Sequence, residues 1–172
     1  RKVAEASRET EWKQPSFLRE MFLGSFRLDL IHPYPLAEQE RPEFTAFYRA
    51  MREFLRDQVD SIEIDATGEY PEDVVDGLRK LGAFGMKIPK KYGGLEFSAL
   101  AHSAVVMKLA TRSNAASVSV MVPNSLGPAE LLLHYGTDEQ KNHYLPRLAK
   151  GLEIPCFALT SPEAGSDAAT IP

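Results

Sequence analysis

Between Pro42 and Val59 the residues Phe44, Phe47, Tyr48, Met51, Phe54, Leu55 and Val59 recur at steps of three and four, with Arg49, Arg52, Arg56 and Asp57 set between them. That is the period of an α-helix, not of a strand, and it gathers three phenylalanines on one face. A stripe this aromatic needs apolar partners, so the chain has to fold other helices against it. Pro42 and Glu43 suit the first turn, one with its φ already helical and the other with a carboxylate at the positive end of the helix dipole.

The segments that follow supply those partners. Asp65 to Tyr70 reads as a turn, and Pro71 opens a second helix that carries Val74, Val75, Leu78 and Leu81 and stops at Gly82 in a left-handed cap. Residues 85–94 form a loop in which Lys87, Lys90 and Lys91 lie near Tyr92, a local cluster that reads either as a site attracting an anion or, by default, as a solvated loop. Ser98 caps a third helix that runs to about Arg112; it is apolar on most sides, which predicts burial. Ser113 or Asn114 then opens a run of small residues from Ala115 to Val122, consistent either with tight helix packing or with the wall of an apolar channel. Pro123 is expected to interrupt it, with Asn124 and Ser125 capping again before a short apolar helix over 126–135 that ends at Gly136. Thr137 and Gln140 form a capping box for a last helix through Tyr144, Leu145 and Leu148, bent at Pro146 and ended by Gly151.

Three sections result. Residues 1–41 are an N-terminal extension: a polar leader with Trp12, then Leu18, Met21, Phe22 and Phe26 at helical spacing beside Arg19 and Arg27, with Gly24 weakening the middle, and then a linker built on His32-Pro33-Tyr34-Pro35. The 17–26 stripe describes a docking face on the rest of the protein or a helix lying on a membrane surface. Residues 42–151 are the helical domain. In 152–172 the period changes: Ile154 to Leu159 is extended, and Thr160-Ser161-Pro162-Glu163-Ala164-Gly165-Ser166-Asp167 breaks into a polar turn. Pro162 prevents onward strand pairing, Gly165 permits a positive φ, and the amides of residues 164–167 can form an anion-binding nest. By composition alone this is an ordinary loop.

Charge and reactive residues exclude several classes. Lys and Arg total 20 against 24 Asp and Glu, a net charge of −4, and no basic tract marks a nucleic-acid binder. The lone Cys156 allows no internal disulfide, fits a reducing compartment and, within an apolar run, reads as a packed small hydrophobe. His32, His102, His134 and His143 have no partners at metal-ligand spacing. There is no phosphate-binding P-loop, no nucleophile elbow and no convincing general base; Glu72-Asp73 and Asp138-Glu139 sit in helix first turns, where the dipole accounts for them. No run reaches transmembrane length and no signal peptide opens the chain. A chain that starts at Arg1 fits a piece of something longer.

Three stretches in order carry a more specific signal: Ile88-Pro-Lys-Lys-Tyr-Gly-Gly-Leu95, then Gly136-Thr-Asp-Glu-Gln-Lys141 with Tyr144-Leu-Pro-Arg-Leu-Ala-Lys-Gly151, then Phe157-Ala-Leu-Thr-Ser-Pro-Glu-Ala-Gly-Ser-Asp167. Together they resemble the acyl-CoA dehydrogenase family, and the last resembles its flavin-binding signature. The 17–24 segment, the proline linker and Thr160-Ser161-Pro162 are similar to the long bacterial fatty-acid-degradation form and its very-long-chain relatives. Most of the family has Glu where Ser161 stands.

The resemblance implies an all-α fold class, the N-terminal helical domain of that fold ending in the first strand of a truncated β domain. It implies FAD as cofactor, long-chain acyl-CoA as substrate with trans-2-enoyl-CoA as product, and an electron-transferring flavoprotein as acceptor. The full enzyme is expected to be a cytoplasmic homodimer, possible membrane contact being confined to residues 17–26 at the inner face. Carried over by motif, Phe157, Leu159 and Thr160 flank the isoalloxazine, with the Thr160 hydroxyl near its N5. Gly165 and Ser166 approach the cofactor's phosphates, and Ser166 also touches the CoA portion of the substrate. Val118, Val122 and Leu126 take the inward positions of the helix that lines the acyl tail, and without a bulky or charged stopper there the channel is expected to be deep. The family's catalytic carboxylate lies outside these residues, so the 172 residues alone are expected to be inactive. An acyl-CoA oxidase of the same fold and a non-catalytic helical interaction module are the competing readings.

Overall fold

The computed structural model describes residues 15–33, 41–125, 127–156, 158–162 and 164–165. They fall into two compact units, one within residues 37–157 and the other drawn from residues 1–36 and 158–172.

In the smaller unit, helix α1 spans Phe17–Phe22. It is shorter than the apolar spacing predicts, because Gly24 adopts φ 85° and closes the helix instead of weakening its middle. A 3-10 turn follows at Leu28–Leu30. The Phe17 and Phe26 rings meet edge to face at 5.7 Å, while Leu18, Phe22, Leu23 and Phe26 remain exposed, Phe22 at 84%. The Arg27 guanidinium grips Asp29 with two hydrogen bonds of 2.8 and 2.7 Å. The linker from Tyr34 onward and the leader with Trp12 lie outside the described residues.

The larger unit is a helical bundle. Its first helix, α2, covers Pro42–Gln58 and buries Phe44, Phe47, Met51, Phe54 and Leu55, as the stripe predicts. A short helix, α3, follows at Ser61–Thr67, taking in residues 65–67 of the turn that the sequence predicts over 65–70. Seven residues are too few to show a stripe, but the Asp60 carboxylate accepts from Ile62 N at 2.9 Å and Glu63 N at 3.2 Å, and that cap decides the fold there. Helix α4, Glu72–Leu81, ends at Gly82 with φ 77°, as expected.

The connection from Ala83 to Phe97 contains 3-10 turns at Ala83–Gly85 and Lys90–Tyr92. Hydrogen bonds from Leu95 N to Gly85 O, Glu96 N to Ile88 O and Phe97 N to Met86 O close it at 2.7–3.0 Å. This seats the Phe97 ring edge-on against Phe44 and Phe47.

Helix α5, Ala99–Ala110, is capped by Ser98 as expected, its hydroxyl accepting from Ala101 N. It is not buried all round: Ala101, His102, Val105 and Leu109 face the core while Met107 is exposed. Helix α6, Asn114–Ser125, runs through Pro123 and is not interrupted there, contrary to the expectation from proline's geometry. Helix α7 is Pro128–Tyr135, and α8, Asp138–Ala149, starts with the predicted capping box, Gln140 N to Thr137 Oγ1 at 3.2 Å and Thr137 N to Gln140 Oε1 at 2.9 Å.

Helices α2 to α6 and the 83–86 turn share the main core, in which Met51, Leu78, Val105, Leu109 and Val120 are fully buried. Each such side chain contributes about 1.5–3 kcal/mol of apolar transfer. A second cluster, Ile88 with Ala129, Leu145, Leu148 and Ala149, joins α7 and α8 to the loop.

The extended run expected after Leu152 is not a strand among the described residues: 154–156 and 158–160 form no ladder. A strand exists only where a neighbour satisfies its backbone, and the described residues supply none. Cys156, predicted to be packed, is exposed for the same reason. No described helix is long and apolar enough to cross a membrane.

Candidate functional site

Helix α6 owes its two-faced character to its small side chains. Ala116, Ser117, Val120, Pro123 and Asn124 are buried against α5 and the 83–85 turn. Val118 and Val122, one turn apart, lie off that face; Val118 is 50% exposed and Val122 partly buried. Relative to this unit's own core, the inward valine is therefore Val120, and Val118 and Val122 form a narrow apolar strip pointing away from it. Leu126 lies outside the described residues.

The end of α6 is tied down from outside the helix. Pro123 has no N–H to give to Ser119 O, and its ring crowds that carbonyl, which weakens the last turn. Asn124, only 5% exposed, supplies replacements: Nδ2 donates to Ala83 O at 2.8 Å and to Val120 O at 2.9 Å, and Oδ1 accepts from Lys87 N at 3.2 Å. Both amide hydrogens and the carbonyl oxygen are used. Gly127 lets the chain turn into α7, since a Cβ there would sit 2.6 Å from Pro123 O. By sequence Asn124 is only a candidate cap. Its signal, a lone amide directly after a proline within an apolar helix, carries meaning once the Ala83 carbonyl is known to face it.

A cavity of about 230 Å³ lies beside this anchor, lined by Lys87, Ile88, Pro123, Asn124, Ala129, Glu130, Leu133 and His134. Across it Lys87 Nζ pairs with Glu130 Oε2 at 2.8 Å, holding the Glu130 carboxyl below the usual range. Lys90 is bound to Glu43 at 2.9 Å, and Lys91 lies 4.8 Å from the centre of the Tyr92 ring. The three loop lysines thus point to three different partners and form no common anion site. Burial lowers the His102 imidazole and, against an opposing effect of the Ser119 hydroxyl, raises the Tyr70 phenol to about 12; the buried Nε2 of His102 has no hydrogen-bond partner among the described residues. No group of three metal-ligating side chains occurs among those residues.

In the smaller unit, Ser161 and Ala164 close a tight turn. Ser161 N donates to Ala164 O at 3.0 Å, and Ala164 N donates back to Ser161 Oγ at 3.1 Å. Two expectations change here. The Ala164 amide is consumed by the turn and cannot open a nest, and Gly165 does not take a positive φ. Leu159 and Thr160 are exposed, and a Cβ added at Gly165 would meet nothing within 4 Å. An apolar side chain, a hydroxyl and an uncovered glycine are therefore open to a flat ligand. Phe157 and Ser166 lie outside the described residues.

Residues 41–152 match the family model for the acyl-CoA dehydrogenase N-terminal domain. The chain is 45% identical over 172 residues to a probable acyl-CoA dehydrogenase of Mycobacterium tuberculosis, covering 98% of this chain and 26% of that protein. It is 34% identical over 158 residues to the mitochondrial very long-chain specific acyl-CoA dehydrogenase of Mus musculus, covering 91% of this chain and 24% of that one. The chain thus spans about a quarter of the length of these curated relatives. Among solved structures it is similar to a glutaryl-CoA dehydrogenase from Mycobacterium smegmatis in complex with FADH2, with TM-score 0.65 and 26% identity over 84% of this chain and 36% of that one. With the model matched across all the helices of the larger unit, the chain belongs to the acyl-CoA dehydrogenase family, through that family's N-terminal domain.

Proposed function

We propose that these residues are the N-terminal part of an FAD-dependent acyl-CoA dehydrogenase that oxidises long-chain acyl-CoA to trans-2-enoyl-CoA. The observation that carries the reading is the family match over residues 41–152, joined to a helix α6 that leaves Val118 and Val122 off its own core. An apolar strip with small side chains suits an alkyl chain, because it gives up water without closing the path. Val118, Val122 and Leu126 line the acyl tail in this reading. The relatives' very-long-chain specificity supports the length of substrate.

Phe157, Leu159, Thr160, Gly165 and Ser166 are assigned to the cofactor, and Ser166 also to the CoA portion. Leu159 and Thr160 fit this role through exposure, and Gly165 through the open space around it. The pre-bonded Ala164 amide does not. When bound, the flavin supplies the acceptor for the β-hydride. The chain's own residues contribute apolar walls, a hydroxyl donor at Thr160 and exclusion of water along α6. The base that takes the α-proton is assigned to a carboxylate outside these residues. Electrons then pass to an electron-transferring flavoprotein, and the active form is a homodimer in the cytoplasm. The exposed apolar residues of α1, beside Arg19, are assigned to a docking face on the rest of the protein, with peripheral membrane contact as the second reading.

The test is the visible spectrum of the full-length protein under anaerobic conditions. A flavin band that bleaches on adding hexadecanoyl-CoA, with formation of the enoyl product, is the expected result. A protein without bound flavin, or a band unchanged by every acyl-CoA, overturns the reading. Rapid re-oxidation of the bleached flavin once air is admitted points to an oxidase instead.

A further inference from the structure

We infer that Asn124 is a positioning residue for acyl-chain selectivity, an inference that rests on the functional reading of α6 given above. The Val118–Val122 strip lies off the buried face of α6, so the rotation of the helix is set chiefly by that buried face. Near its C-terminal end this face is weakened by Pro123 and restored by one side chain. Asn124 ties Val120 O within α6 to Ala83 O and Lys87 N, at either end of a turn that follows α4.

The far side of that turn is itself immobilised. A Cβ on Gly85 would stand 2.8 Å from the backbone of Ala149 in α8, so the turn is pressed against that helix. Lys87 is also held by Glu130 of α7. Asn124 therefore registers α6 against a frame made by α4, α7 and α8. Val122 precedes it by two residues and Val118 by six, so any rotation or shift of the last turn displaces the strip directly.

A buried amide with every hydrogen-bonding group satisfied has no neutral substitute here. Asn124→Asp keeps the shape but brings a carboxylate against two carbonyl oxygens that need donors. The expected consequence is a shifted last turn and not only a less stable fold.

The experiment uses full-length holoenzyme and compares kcat/KM for hexadecanoyl-CoA and octanoyl-CoA. For Asn124→Asp the ratio of the two changes by about threefold or more, since a whole methylene in an apolar pocket is worth about 10- to 200-fold in discrimination and a displaced wall realises part of that. Ile64→Val, a methyl removed from α3, is the control for lost stability alone; its melting midpoint falls while its ratio stays at the wild-type value. Should Asn124→Asp fail to accumulate, Asn124→Ser, which keeps one donor and one acceptor, carries the same comparison.

A ratio moved by the Asn124 variant and not by Ile64→Val supports the inference. An unmoved ratio in both variants, or an equal change in both, overturns it and leaves the functional reading standing. Wild-type holoenzyme that oxidises neither substrate overturns the functional reading, and the inference falls with it.

Discussion

His102 enters the core from α5 with its Nε2 buried and unpartnered. Burial, with the Lys87 ammonium adding to it, keeps the imidazole below its ordinary value of 6.5. As pH falls the unfolded chain binds this proton first, so stability attributable to His102 is fully present above about 6.5 and is lost on acidification toward the folded-state value. The expected outcome is that His102→Leu reduces the fall in melting midpoint between neutral pH and pH 5; an unchanged pH profile in thermal melts refutes it. Two other residues show how much a single position can decide. Glu96 is held at φ 54° by the bonds that close the 83–97 connection, a conformation that sequence periodicity does not record. Asn124 was legible as a polar residue at a helix end, but its three partners come from residues 83, 87 and 120 and become neighbours only on folding.

The elements were legible to the degree that they carried their own stop signals. Helix α4 ends at Gly82 and α8 begins at the Thr137 capping box because the caps satisfy backbone groups locally, with no help from distant residues. Helix α3 is too short for its period to show in the sequence, and in α6 proline's local cost predicts a break that the structure does not have. Tertiary bonds to Asn124 outweigh that cost. The α2–α4 contact gives a sharp prediction. Gly77 faces the Phe54 ring so closely that a Cβ would overlap the ring carbons Cε2 and Cζ, and Phe54 is buried. Gly77→Ala gains about 1 kcal/mol of helix propensity yet forces the core apart, at a cost of about 1–3 kcal/mol. The expected net result is a lower urea midpoint; a raised midpoint shows that Phe54 can move aside freely.

At the scale of the whole molecule, the larger unit supplies an apolar strip on α6 and the smaller unit an open turn with Leu159 and Thr160 exposed. If the strip lines the acyl tail, Val122→Phe in the full-length enzyme lowers kcat/KM for hexadecanoyl-CoA by about tenfold or more relative to octanoyl-CoA, as expected when an apolar pocket loses the space of several methylenes. A relative rate that stays the same removes Val122 from the tail site. The long helices, the caps at Ser98, Gly82 and Thr137, and the family were determined by the sequence itself, since periodicity, capping and motif wording are local properties of the chain. Which face of α6 the core claims, whether Pro123 ends that helix, whether the run after Leu152 pairs, and whether Cys156 is covered were decided only in three dimensions. Each of those depends on a partner far away in sequence: the Ala83 carbonyl and Lys87 amide for α6, a neighbouring strand for the run after Leu152, and a packed surface for Cys156.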